Sequence, residues 1–204
     1  MTKIPDTYKT LLKPSPETLF KEKKSKFYGY AFPVRSEEEV KPILDRLKKK
    51  HHTANHVCYA WQIGIGEIRY RANDDGEPNN SAGMPIYGQI QSYELTNVLV
   101  AVARIFGGTK LGVGGLISAY RESAKMALEA SKIVKRTTRL HYRLDFEYAE
   151  MNVVMANIKR SRLEISSQEM GAACSIILSV AKKNESKMLD SFLSLHKVKV
   201  TKLN

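Results

Sequence analysis

The sequence predicts an α+β chain in two parts, and three observations predict it. A buried strand runs through a glycine run into a long helix between Val98 and Lys132, the last 66 residues of the 204 alternate strands and helices on a compact plan, and the pattern breaks between them at Val134 to Thr138. The expected division is residues 1–135 and 136–204.

In order, Phe27 to Val34 reads as a strand and Ser36 to Lys50 as a helix, with Ser36 as N-cap and Glu39 closing a capping box. His56 to Ile63 is a strand, Ile68 to Ala72 a short one, and Met84 to Glu94 a helix. Asn97 to Arg104 is an apolar run bounded by turn residues, which places a buried strand at Val98 to Ile105. Leu116, Ile117, Tyr120, Ala124, Ala127 and Leu128 recur at three-and-four spacing, so Leu116 to Lys132 is an amphipathic helix. Beyond the break, Arg139 to Phe146 alternates as a strand, Glu147 to Ser161 is a helix, Leu163 to Ser167 and Ala173 to Ala181 are strands, Asn184 to His196 is a helix and Val198 to Leu203 a last strand. That order, βαββαβ, is the ferredoxin-like plan of an antiparallel sheet with two helices on one face.

The net charge of +12 is spread over both halves and favours polyanionic partners, RNA or the ribosome, through counterion release, although such an excess also serves solubility alone. No stretch approaches the roughly twenty apolar residues of a membrane span, and Met1 to Asp6 lacks the apolar segment of a signal peptide, so a cytoplasmic location and no membrane partner are expected. Cys58 and Cys174 lie far apart in apolar surroundings and are expected to be buried free thiols.

Two elements are not needed by ordinary packing. One is the acidic turn Asp74-Asp75-Gly76-Glu77-Pro78; the other is the run from Gly107 to Gly115, with five glycines in nine residues. Glycines at a strand-to-helix junction expose helix N–H groups able to hold phosphate or carboxylate, yet they equally allow a tight turn with close helix-to-strand packing. Neither the phosphate-loop pattern nor Gly-x-Gly-x-x-Gly matches, since Ile117 stands where the last glycine belongs. The acidic turn either caps backbone N–H groups or meets His51, His52 and His56 at a metal; no fixed ligand spacing supports a metal, and no cofactor is expected. Arg104, at the end of a buried strand, needs a carboxylate or phosphate partner, which Asp74, Asp75 or Glu77 could supply as one internal ion-pair network. Tyr59, Trp61 and Tyr70 near Arg69 and Arg71 form either a base-stacking surface or core.

Linked motifs carry a resemblance. Ala72-Asn73-Asp74-Asp75-Gly76-Glu77-Pro78, Ala82-Gly83-Met84-Pro85-Ile86, Leu95-Thr96-Asn97-Val98-Leu99-Val100, Arg104 to Gly112 and Gly114 to Tyr120 follow one another, with Lys24-Ser25-Lys26-Phe27 and His56-Val57-Cys58-Tyr59-Ala60 upstream. In this order they resemble the IMPACT and YigZ family over most of residues 18–132. Asn79-Asn80 stands where Ser-Gly is expected, Asn being next best at positive φ, and Asn73 where a smaller or hydroxylated residue is usual. The resemblance implies an N-terminal part like domain four of elongation factor G and a ribosomal-protein domain, and a C-terminal part like domain five of the same factor. It further implies a translation-associated regulatory or binding protein without catalysis, which contacts RNA, the ribosome or a protein partner. Eukaryotic relatives act in translational control by binding a ribosome-associated activator of a stress kinase; with no partner-binding domain ahead of the matched segment, that contact is not implied here. The surface it marks comprises Arg71, Asp74, Asp75, Glu77, Arg104, Gly107, Gly108, Lys110, Gly112, Gly114 and Gly115. Because the N-terminal fold also occurs in small-molecule kinases, the alternative is an enzyme on a small phosphorylated or anionic substrate, with the glycines as anion site and the carboxylates as base or metal holder. A basic module that binds RNA by charge alone is a third reading.

Overall fold

Val98 to Arg104 are buried without interruption, so the strand they form, β6 (Val98–Ile105), is covered on both faces and sets the layers around it. The computed structural model describes residues 4–203 and divides into two compact units, one holding Ile4 and Tyr8–Arg136, the other Pro5–Thr7 and residues 137–203.

In the first unit β2 (Thr18–Glu22), β3 (Ser25–Pro33), β4 (His56–Ile63), β5 (Arg69–Asn73) and β6 form an antiparallel sheet ordered β2-β3-β6-β4-β5. Successive side chains of a strand face opposite ways, and the two faces are packed differently. Leu99, Ala101 and Ala103 join Val57, Trp61 and Tyr30 beneath α1 (Val40–Lys50), through Val40, Ile43, Leu44 and Leu47. Val98, Val100 and Val102 join Phe27, Cys58 and Ala60 beneath α2 (Gly83–Ser92) and α3 (Gly112–Glu129), through Ile86, Ile90, Leu116, Tyr120, Ala124 and Leu128. Register then decides where chemistry falls: Arg104 pairs with Phe27 on one side and His56 on the other, so all three project from the end of the sheet toward α3.

The second unit holds β8 (Arg139–Glu147), α4 (Met151–Arg160), β9 (Glu164–Glu169), β10 (Ala173–Ala181), α5 (Glu185–Leu193) and β11 (Lys199–Leu203), with an antiparallel sheet ordered β11-β8-β10-β9. This is the βαββαβ order that the hydrophobic pattern predicts. Leu140, Tyr142, Leu144 and Phe146 are buried while Arg139, His141 and Arg143 are exposed, so one face carries the core, filled further by Val154, Ile158, Met188 and Phe192.

Three strands were not anticipated. β1 (Thr7–Leu11) and β7 (Ile133–Thr137) form a two-stranded ribbon, and β2 is the edge of the larger sheet. Short edge strands bury few side chains and alternate weakly, which hid them; the expected break at Val134 to Thr138 is largely β7. The capping box at Ser36 does not form. A turn in which Val40 N–H donates to the Glu37 carbonyl (3.1 Å) occupies those residues, α1 starts four residues later, and the Glu39 carboxylate accepts from Arg35 N–H at 3.1 Å. α3 starts four residues earlier than its apolar periodicity predicts, so its first turn is made of glycines and Val113.

A pH-dependent cluster lies in the second unit. Burial alone would raise the Glu185 carboxyl, but bonds from Lys182, Lys202 (2.8 Å) and Tyr142 outweigh it and lower it to about 2. A carboxyl depressed in the folded state stabilises fully above its unfolded value of 4.5 and loses that contribution as pH falls toward about 2. Discounted for the exposure of Lys202, the loss is about 2 kcal/mol. Acid unfolding followed by circular dichroism should show it as a steep limb between those values in the native chain and a shallower one in Glu185→Gln; equal limbs would refute it.

Candidate functional site

The end of the sheet where Arg104 emerges opens into a cleft of about 440 Å³, lined by Asn55, His56, Glu77, Pro78, Arg104, Phe106, Lys110, Leu111, Gly112, Val113 and Leu116. Its floor is ionic. The Arg104 guanidinium donates through Nη1 to Glu77 Oε1 at 2.6 Å, and the Tyr120 hydroxyl donates to the same oxygen at 2.7 Å. Both charged side chains are almost wholly shielded from water, at 6% and 4% exposure, so each needs the other. Arg104 also lies 5.5 Å from the Phe27 ring centre and 5.6 Å from that of Phe106, whose π faces complement its charge. Its Nε is buried with no hydrogen-bond partner among the described residues.

Burial raises the Tyr120 hydroxyl far above its ordinary value, with Cys58 and Glu77 adding to the effect, so the phenol keeps its proton and acts as donor. Burial likewise pushes the Cys58 thiol up. That thiol donates to the Asp74 carbonyl at 3.0 Å and touches the Tyr120 hydroxyl at 3.3 Å, a packed group rather than a nucleophile. His56 Nδ1 lies 2.8 Å from the Asp75 carbonyl, which only accepts, so this nitrogen carries the proton and Nε2 is left toward Glu77 Oε1, 4.0 Å away.

The acidic turn is spent largely on backbone. Asp74 accepts from Asn80 N–H (2.9 Å), Ala82 N–H (3.0 Å) and Gly83 N–H (2.8 Å), which caps α2 from a distance where Ala82 itself offers no side-chain cap. Asp75 accepts from Val57 N–H (2.7 Å) and Lys48 (3.1 Å), and the Asn73 side chain accepts from Asp75 N–H at 2.8 Å. Asn80 does occupy positive φ, at +61°, as expected of the residue standing in for glycine. Of the three acids, Glu77 alone reaches the cleft and supplies the partner that Arg104 requires.

The remaining sequence-derived residues separate. Arg71 pairs across the sheet with Trp61 and lines a groove of about 370 Å³ beside α1 with Tyr59, Lys48 and Asp75, on the face opposite Arg104. Lys110 and Gly112 line the cleft. A side chain on Gly107 would sit 2.1 Å from the Lys24 carbonyl carbon, so this glycine lets the loop lie against the β2–β3 turn, and its N–H donates to Ser25 Oγ at 3.1 Å. Gly108 and Gly112 hold φ of +86° and +74°, and Gly115 backs onto Leu111. Gly114 meets nothing within 4 Å and has no positive φ. Alanine there should therefore raise stability by about 0.5–1 kcal/mol, read as a higher midpoint in thermal unfolding; a loss would reveal a packing role.

His51 contacts Tyr30 (2.5 Å) and Glu17 in a separate cluster, so it does not meet His56 and the acidic turn; no group of three or more His, Cys, Asp or Glu side chains suited to a metal occurs among the described residues. His56, Phe106, Val113 and Leu116 also line the cleft and Tyr120 bonds Glu77 beneath it; none of them belongs to the surface that the resemblance marks, and the sequence offers His56 only as a metal ligand. Phe106 and Val113 carry a signal that was available, since both are large apolar side chains inside a glycine-rich, solvent-facing run, and both are exposed.

The Impact N-terminal domain matches residues 23–128, which contain the cleft in full. An IMPACT family member of Haemophilus influenzae is 30% identical over 176 residues, 84% of this chain and 85% of the relative. The IMPACT family member YigZ of Escherichia coli is 30% identical over 149 residues, 72% of this chain and 73% of the relative. A crystal structure of a hypothetical protein has the same fold, with a TM-score of 0.74 at 21% identity over 98% of both chains. The domain match contains the acidic turn, Arg104 and the glycine run, and the Haemophilus influenzae relative is matched over 84% of this chain: this chain belongs to the IMPACT family.

Proposed function

We propose that this chain is a translation-associated regulatory protein that contacts RNA or the ribosome through its first unit and works by binding. The observation that carries the reading is the match of the Impact N-terminal domain to the segment that builds the cleft, since translational control is what the family resemblance implies. Charge supports it. The chain has a net charge of +12, and its glycine loop, which carries Lys110, packs against a turn whose central residues are Lys23 and Lys24. Both lysines adopt positive φ, +44° and +66°, where a side chain is disfavoured, so two cations are held at a strained hairpin tip that glycine or asparagine would form more easily. A cationic tip suits phosphate, whose condensed counterions are released on contact.

Sedimentation with purified ribosomal subunits and with single-stranded RNA across a salt series tests this. Saturable binding is expected, with log affinity falling linearly against log salt, and Lys24→Ala and Lys110→Ala should each reduce that slope by about one. Absence of binding near physiological salt would overturn the reading.

A further inference from the structure

We infer that β5 accepts an extended segment of a partner protein as a further strand of the first unit's sheet, and that the side chains of that segment alternate between apolar and acidic. The inference goes beyond the proposed function and does not depend on it, since Lys23 and Lys24 lie at the opposite edge of the sheet. In the order β2-β3-β6-β4-β5, β5 is paired with β4 alone. Every second residue of an antiparallel edge strand points its N–H and C=O away from the sheet. Among the described residues no protein group bonds that outer edge over residues 69–72. The far end is closed, because the first residue of α2 abuts the strand: a side chain on Gly83 would sit 2.5 Å from Asn73 N. The open stretch is therefore Arg69 to Ala72, and its first three residues are exposed.

Strand alternation gives the two sides of this edge different chemistry. On the α2 side, Tyr70 stacks on Tyr87 with ring centres 4.3 Å apart, and Ile68, Tyr70 and Met84 are 43%, 54% and 41% exposed. Met84, Tyr87 and Gly88 share one side of α2, and a side chain on Gly88 would meet nothing within 4 Å. Apolar side chains of an added strand would cover this surface by cross-strand contact. On the α1 side, Arg71 lines the groove over Tyr59 and Trp61. The charges around it are answered already: Arg69 meets Glu37 at 2.8 Å, Lys48 meets Asp75 at 3.1 Å, and Lys41 and Asp45 offset each other one turn apart on α1. Arg71 takes part in no ion pair among the described residues, and a carboxylate is its complement.

Other occupants fit less well. A second copy that set Tyr70 against its own Tyr70 would set Arg69 against Arg71, like charges directly opposed. RNA would bring phosphates to a groove lined by Glu37, Asp45 and Asp75, where Trp61 is 4% exposed and one face of Tyr70 is taken by Tyr87. An extended peptide answers the open backbone, the apolar side and Arg71 together. The two arginines also guard the edge, since a strand without acids would pair against their charge.

The test selects random nonapeptides displayed on phage against the full chain, then titrates the enriched sequence into the native protein and into Tyr70→Ser and Arg71→Glu by fluorescence anisotropy. Both positions are exposed, and circular dichroism checks that the variants fold. Enriched peptides should alternate apolar residues with Asp or Glu, and each variant should weaken their binding on the order of tenfold. Lysine in place of the peptide's acids should restore binding to Arg71→Glu while abolishing it in the native chain. N-methylation of every second peptide nitrogen should abolish binding in one of its two phases, and amides within Arg69 to Ala72 should exchange more slowly in the complex. No enrichment, enrichment without that alternation, or binding that ignores both variants or both phases of N-methylation overturns the inference. So does weaker binding of single-stranded RNA to Arg71→Glu with no peptide bound, which gives the surface to RNA. A dimer in sedimentation that both variants dissolve gives the edge to a second copy and overturns it too. Ribosome or RNA binding that persists in both variants leaves the proposed function standing whichever way the peptide result falls.

Discussion

Replacing Glu77 by alanine should destabilise the first unit by about 3–5 kcal/mol, the usual loss when one partner of a buried ion pair is removed. Arg104 is 6% exposed, its Nε already lacks a partner, and it would remain charged among Phe27, Phe106 and the end of β6 with no counter-ion. Tyr120, wholly buried, would lose its acceptor at the same time. The chain has one tryptophan, Trp61, buried on the α1 face of the same sheet, so urea unfolding followed by its fluorescence reports on this unit. Glu77→Gln keeps an acceptor for Tyr120 and should lose less, while the double variant Glu77→Leu/Arg104→Met should recover most of the loss by removing both charges. A single-variant loss below about 1 kcal/mol would show that water reaches the pair and that the network is not what joins the acidic turn to the sheet.

That coupling between two distant motifs was partly legible. An arginine at the end of an apolar run needs an anion, and the acidic turn held three; which of them it takes depends on the reach and direction of the turn, and no spacing rule gives that. The register that sets His56, Arg104 and Phe27 side by side is equally non-local, so His56 and Tyr120 stayed outside the expected site. Strands with strong periodicity, β4, β6 and β10, were read with their ends in place, because burial on at least one face leaves a clear pattern. The edge elements β1, β2 and β7 bury little and leave almost none. Arg71 belongs to the surface that the resemblance marks, but strand alternation turns it to the face opposite Arg104, beside Trp61.

Asp74→Ala should cost about 3–4 kcal/mol, since a carboxylate that accepts three backbone N–H bonds loses all of them together and leaves the donors of a helix start without partners. Asp74 reaches Asn80, Ala82 and Gly83 at 2.8–3.0 Å, and α2 has no other side-chain cap. Asp75→Ala removes one backbone bond, from Val57, and a pair with exposed Lys48, so its loss should be near 1–2 kcal/mol although it is the adjacent residue. The contrast separates capping from ligand binding: if the turn held a metal or substrate, the two aspartates would matter for affinity and not in this ratio for stability. Hydrogen exchange gives the local readout. In Asp74→Ala the amides of Ala82 and Gly83 should exchange much faster while those of β6 slow or quicken only with global stability. Unchanged exchange at those two amides would mean that α2 is held by packing of Ile86 and Ile90 alone, and that Asp74 is free for another role.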